Sequence, residues 1–153
     1  MYPIKIIVVG RPKLEPVRQL EAHYSSLLKS YTRLTLIELA EGRCADVLHQ
    51  LKDEAKRIRP HLRSVRCPAL LSADGLGRDS KKFACWLEMR MNCGDSLAFA
   101  VGSSHGFDAS LKAEVNEHIS LSSMTFPHDL SRVLFLEQLY RAFSIIKGSP
   151  YHK

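Results

Sequence analysis

Glu137 and Arg141 stand four residues apart near the C-terminus, and Tyr151 and His152 follow them. These side chain types can hold a charge or move a proton. A spacing of four puts Glu137 and Arg141 on one helix face, where they either pair with each other or present a carboxylate and a guanidinium to a ligand. A second group is Gly102-Ser103-Ser104-His105-Gly106, two hydroxyls beside an imidazole between two glycines. Adjacent residues seldom align as nucleophile and base, and no GxSxG elbow is present, so hydrolase chemistry is not indicated. The glycines suit either a turn whose backbone closes on a ligand or a plain strand-to-helix turn. The segment matches neither GxGxxG nor a Walker loop. Cys44, Cys67, Cys85 and Cys93 form no CxxC pair, and the seven histidines show no HExxH spacing. The expectation is no metal site and reduced thiols, mostly buried.

The elements that must position these groups are read from periodicity. Ile4–Gly10 is a β-branched run that ends in glycine, a buried strand closing in a turn at Arg11-Pro12. Leu20, Tyr24, Leu27, Leu28 and Tyr31 recur at three- and four-residue steps as one helix face. Leu34–Leu39 reads as a second strand, and Asp46 caps a second helix that ends before Pro60. Val65–Leu71 is a third strand interrupted by Pro68, and Asp74–Gly77 a turn. Ser80 caps a helix that runs to Gly94, Ser96–Gly102 is a further strand, and a short helix carries Leu111 and Val115. Ile119–Phe126 precedes the longest helical pattern, Pro127–Ile146, which is apolar on more than one face. A helix of that kind is covered on two sides, one by the sheet and the other by a second copy of the chain.

Strands alternate with helices without a linker or repeat, which predicts an α/β fold with a mostly parallel sheet, helices on both faces and a single domain over residues 1–153. Ligands of such sheets bind beyond the carboxyl ends of strands. That singles out the loops Gly10–Pro12, Leu71–Ser80, Gly102–Gly106 and Leu121–Pro127.

Composition narrows the function classes. At 45% hydrophobic and 25% charged residues the chain is an ordinary globular one, not a disordered one. Its longest apolar runs fall well short of the roughly 18–20 residues of a membrane span. The first residues lack the parts of a signal peptide, so a cytoplasmic protein that meets no membrane is expected. The net charge of +6 comes from 22 basic and 16 acidic residues, and the excess lies in the first half. Lys52–Arg66 is the densest stretch, compatible with a polyanion partner or with a solvated helix face.

The C-terminal string Ser120-Leu-Ser-Ser-Met-Thr-Phe-Pro-His128, followed by Arg132, Glu137-Gln-Leu-Tyr-Arg-Ala142 and Pro150-Tyr-His-Lys153, closely resembles the signature of the SPOUT-superfamily methyltransferases of the RlmH group. These act on N3 of a pseudouridine in the 23S RNA of the large ribosomal subunit. The resemblance extends along the chain through the Gly10 strand end, the Leu71 loop and the Gly102–Gly106 loop. It implies a trefoil-knotted α/β fold, a homodimer, S-adenosyl-L-methionine as cofactor and 23S rRNA in the assembled ribosome as substrate. Carried over by position, it places the cofactor at Leu71, Gly102, Leu121, Ser122, Ser123, Met124, Thr125 and Phe126. It places substrate at Arg132, Glu137 and Tyr151 and catalysis at His152 and Arg141, the tail of one subunit completing the site of the other. His128 matches the histidine after proline, suited to orienting the helix start or to catalysis.

The chain departs from the family pattern at three positions. Leu71-Ser72 replaces a Leu-Asp pair, Gly102-Ser103 replaces two adjacent glycines, and His105 stands where an acidic residue is common. A catalytically silent ribosome- or RNA-binding descendant, or a methyltransferase for another RNA, are the alternatives to the family's reaction.

Overall fold

The computed structural model describes residues 1–152. Its elements are β1 (Tyr2–Val9), α1 (Glu15–Leu28), β2 (Thr32–Leu39), α2 (Val47–Arg63), β3 (Cys67–Gly77), α3 (Ser80–Asn92), β4 (Leu97–Val101), α4 (Ala109–Glu114), β5 (Glu117–Ser120) and α5 (His128–Ile146). The five strands pair in parallel in the order β2-β1-β4-β3-β5. All five residues of β4 are buried, as a central strand covered on both faces must be. Ile4, Ile6, Val8 and Phe99 face the layer of α1, α3 and α5. Ile7, Val9, Ala98 and Ala100 face α2 and α4. The expected parallel sheet with helices on both faces is therefore present.

Several local expectations need correction, each for a tertiary reason. α2 continues through Pro60 to Arg63. The lost backbone bond falls on the exposed side, at Lys56, and the extra turn buries Leu62 against the sheet. α1 begins at Glu15, with proline in its first turn, and its buried residues are Val17, Glu21 and Leu28 while Leu20 is exposed. Pro68 is accommodated because Cys67 N–H donates to Ser96 at 2.9 Å on the β4 side, which turns the Pro68 nitrogen to the other edge, ahead of the first β3–β5 pair at Ala69 and Glu117.

Asp74–Gly77 is not a plain turn. β3 bulges between Leu71 and Leu76, both opposite Ile119, and resumes pairing. Gly75 lies so close to β5 that a Cβ there would sit 2.7 Å from the His118 carbonyl carbon. The cap of α3 is Asp79, which accepts from Lys82 N–H at 2.7 Å, one residue before Ser80. Of the cysteines only Cys67 is buried; Cys44, Cys85 and Cys93 are exposed.

Candidate active site

Three of the segments singled out from the sequence, the bulge within β3 and the loops after β4 and β5, converge on one cleft of about 500 Å³. Its apolar wall includes Leu71, Val101, Phe107, Ile119 and Leu121, and its rim includes Met124, Phe126 and His128. The cleft opens at one end of the sheet where β4, β3 and β5 stand side by side, since β3 lies between β4 and β5 in the strand order.

The β4 loop is pulled tight. Gly106 N–H donates to the Ser103 carbonyl at 3.0 Å, and Gly106 takes φ +81°. Gly102 faces the returning strand of this turn so closely that a Cβ would lie 2.5 Å from the Gly106 carbonyl oxygen. Ser103, where the family pattern has a second glycine, needs no such freedom, since no described non-glycine residue has positive φ. Its hydroxyl is buried and donates to Glu54 Oε2 at 2.8 Å. Glu54 is 2% exposed, and its other oxygen accepts from Gly42 N–H at 3.0 Å and Gln50 Nε2 at 2.9 Å. A buried carboxylate with these donors is satisfied, and it ties the cleft loop to α2. Glu54 and its partners were absent from the sequence reading, because the bond to Ser103 joins residues 49 positions apart.

The β3 bulge contributes Ser72, Ala73 and Asp74. Lys112 first, and the Ser72 hydroxyl second, donate to the Asp74 carboxylate and pull it down to about 2, so it carries its charge at any physiological pH. The β5 loop is braced from within: Ser120 Oγ donates to the Ser122 carbonyl at 2.8 Å, and Ser122 Oγ accepts from Met124 N–H at 3.0 Å. Met124 is 72% and Phe126 38% exposed, apolar side chains held at the rim and open to solvent. Of the residues assigned to the cofactor, Leu71, Gly102, Leu121, Ser122, Met124, Thr125 and Phe126 line the cleft; Ser123 is in the same loop but does not. His128 Nε2 lies 3.0 Å from Asp129 Oδ1 and 3.8 Å from Glu41 Oε1, beside the cleft.

The residues assigned to substrate and catalysis form a separate group along α5. Arg141 donates through Nε to Glu137 Oε1 at 3.0 Å, and its Nη2 makes a second bond to the same oxygen. Tyr151 Oη donates to that oxygen at 3.1 Å, the Arg141 guanidinium lies 4.8 Å from the centre of the Tyr151 ring, and Arg141 Nη1 lies 3.4 Å from His152 Nδ1. The neighbouring carboxylate of Glu137 pushes Arg141 up further. Burial, followed by hydrogen bonds with Tyr24 and Glu137, pushes the Tyr151 phenol up from its ordinary value. Both therefore stay protonated at neutral pH and act as donors. Arg141 is ten residues beyond Ser131, the last cleft residue on α5, or about 15 Å along the helix. Within one chain the cleft and this cluster do not meet.

Arg132 belongs to neither group. It is 2% exposed, donates to the Gly10 carbonyl at 3.1 Å and to Glu38 Oε1 at 3.1 Å, and pairs with Glu21 through Nε. The resemblance placed it on substrate; the structure encloses it as a clamp between α5, α1 and the ends of β1 and β2, because its whole guanidinium is spent on protein partners.

A family model described as "Predicted SPOUT methyltransferase" matches residues 2–152. The ribosomal RNA large subunit methyltransferase H of Malacoplasma penetrans is 36% identical over 156 residues, covering 98% of this chain and 99% of its own. Its namesake from Gloeobacter violaceus is 38% identical over 149 residues, 97% of each chain. The crystal structure of a probable methyltransferase from Bordetella pertussis Tohama I matches with a TM-score of 0.56 at 13% identity over 93% of this chain and 96% of that one, which speaks for the fold alone. With a family match from residue 2 to residue 152 and relatives this similar end to end, the chain belongs to the SPOUT methyltransferase family.

Proposed function

We propose that this protein methylates N3 of a pseudouridine in 23S rRNA of the large ribosomal subunit, in the cytoplasm, with S-adenosyl-L-methionine as donor and as a homodimer. The observation that carries the reading is the one cleft built from the β3 bulge and the loops after β4 and β5. Its features fit the cofactor: the turn leaves no room for a side chain at Gly102, small side chains line the β5 loop at Ser120 and Ser122, and Leu71, Met124 and Phe126 supply apolar contact. Leu71, Gly102, Leu121, Ser122 and residues 124–126 would hold the adenine and ribose. Bound there, the cofactor supplies a methyl already activated by its sulfonium, so the chain has mainly to align the acceptor nitrogen and manage its proton.

That management falls to the α5 cluster. A guanidinium only donates, so at 3.4 Å Arg141 can meet His152 Nδ1 only through the lone pair of that nitrogen. When Arg141 turns towards an anionic substrate, Nδ1 is freed to take the N3 proton, and Arg141 offsets the negative charge that develops on the base. Tyr151 and Glu137 hold the guanidinium in place. The separation of about 15 Å along α5 is the argument for a second copy. Leu130 and Leu134 on the exposed side of α5, with Met124 and Phe126, form an apolar face that a twofold partner would cover. An antiparallel crossing of the two α5 helices would carry the tail of each chain to the cleft of the other. The trefoil crossing of the family suits an order in which β4 connects to β5 across β3.

The test is transfer of labelled methyl to purified large ribosomal subunits, followed by mapping of the modified nucleotide. The expected product is one N3-methylpseudouridine in 23S rRNA. Label in transfer RNA alone would contradict the ribosomal assignment, and no label in any RNA would favour a silent descendant.

A further inference from the structure

We propose that the outer face of α2, together with the arginine-walled cleft at its C-terminal end, is the surface that grips the phosphate backbone of the RNA substrate. This rests on the proposed reaction on ribosomal RNA and adds where that RNA is held. Leu51, Ala55, Ile58 and Leu62 turn one side of α2 into the sheet. The other side exposes Lys52, Lys56 and Arg63 at steps of four and seven. Between Lys52 and Arg66 six basic residues face two acidic ones, and the structure withdraws one of the acids: Glu54 is buried and bonded to Ser103, Gly42 and Gln50.

Where α2 ends, a cleft of about 440 Å³ is walled by Arg59, Arg63, Arg66 and Arg90. Its two carboxylates are already engaged, Glu114 with Arg59 at 2.9 Å and with Arg63 at 3.5 Å, and Glu117 with Arg78 at 2.7 Å. Arg66 joins none of the ion pairs among the described residues. The result is a wall with more basic than acidic groups on which Arg66 offers a planar guanidinium fork, the geometry that suits phosphate oxygens. It lies at the amino ends of β3 and β5, away from the cofactor cleft at their carboxyl ends, with its α2 and α4 walls on the sheet face opposite α5 and Arg90 of α3 at its border. It is thus free in the proposed dimer. An anionic membrane is a poorer fit, because the apolar side of α2 is spent on the sheet and cannot enter an acyl layer.

The test uses the full-length protein carrying Lys56→Glu, Arg63→Glu and Arg66→Glu together. Calorimetry with S-adenosylhomocysteine reports whether the cofactor cleft is intact. Sedimentation with purified large ribosomal subunits between about 50 and 200 mM salt reports on docking. The expected result is cofactor-product affinity within about twofold of wild type and a salt slope shallower by about 2, at roughly 0.7–0.9 per lost phosphate contact. Methyl transfer should lose at least about tenfold in kcat/KM, through KM with kcat kept. Equal subunit binding and an equal salt slope in the variant would overturn the surface. Because binding is read without turnover, wild-type protein that docks in this charge-dependent way but transfers no methyl overturns the proposed reaction and leaves the surface standing. Wild-type protein that sediments with phosphatidylglycerol vesicles and not with subunits overturns the surface in favour of a membrane.

Discussion

Arg132→Ala is expected to destabilise the protein by about 3–5 kcal/mol, because it leaves a charge at Glu21 without its partner in a buried place. For a chain of this size that lowers Tm by roughly 10 °C. Glu38 keeps Arg11 at 3.2 Å, so the penalty centres on Glu21. Burial already raises the Glu21 carboxyl, and Arg132 is the main group that opposes the rise. A carboxyl whose folded pKa is raised binds more protons folded than unfolded. Its contribution to stability therefore falls as pH climbs from the unfolded value through the folded one. Removing Arg132 pushes Glu21 higher, so the deficit of the variant should shrink on acidification, when Glu21 folds neutral. Thermal melts at several pH values check this, and Arg132→Met with Glu21→Gln should recover most of the loss. A melting temperature within a degree of wild type for Arg132→Ala would remove the clamp.

Arg141→Ala and His152→Ala are each expected to slow methyl transfer to ribosomal subunits by about 10²-fold or more, the usual scale for losing a positioned proton-transfer or charge-stabilising group. Both residues are assigned to the acceptor base and its proton and not to the cofactor, so the calorimetric affinity for S-adenosylhomocysteine should hold. Arg141→Lys keeps the charge but not the fork to Glu137 and His152, and should recover only part of the rate. Near-normal transfer by both alanine variants would take the α5 cluster out of the reaction.

The layered α/β fold was legible because a buried parallel strand such as Leu97–Val101 and a glycine-ended run such as Ile4–Gly10 signal themselves locally. The cleft was legible because ligand loops follow the carboxyl ends of strands, and the loops after Leu71, Val101 and Ser120 do converge. What escaped was decided at long range. Pro60 sits inside a helix because Leu62 gains burial beyond it. Asp74–Gly77 continues a strand because β5 offers Ile119 twice. The enclosure of Arg132 depends on Glu21, Glu38 and Gly10, which no local pattern brings to α5. The family likeness named residues, and only the structure sorted them into cleft, α5 cluster and clamp.

Titration of the purified protein with S-adenosylhomocysteine, beside Gly102→Val, tests the cofactor cleft on which the whole reading depends. A valine side chain would enter space held by the Gly106 carbonyl, whose oxygen lies 2.5 Å from the Cβ position. The account predicts saturable binding at one site per chain for wild type and loss of that binding in a variant that still melts cooperatively. Absence of binding by wild type, or equal binding by both proteins, would contradict it.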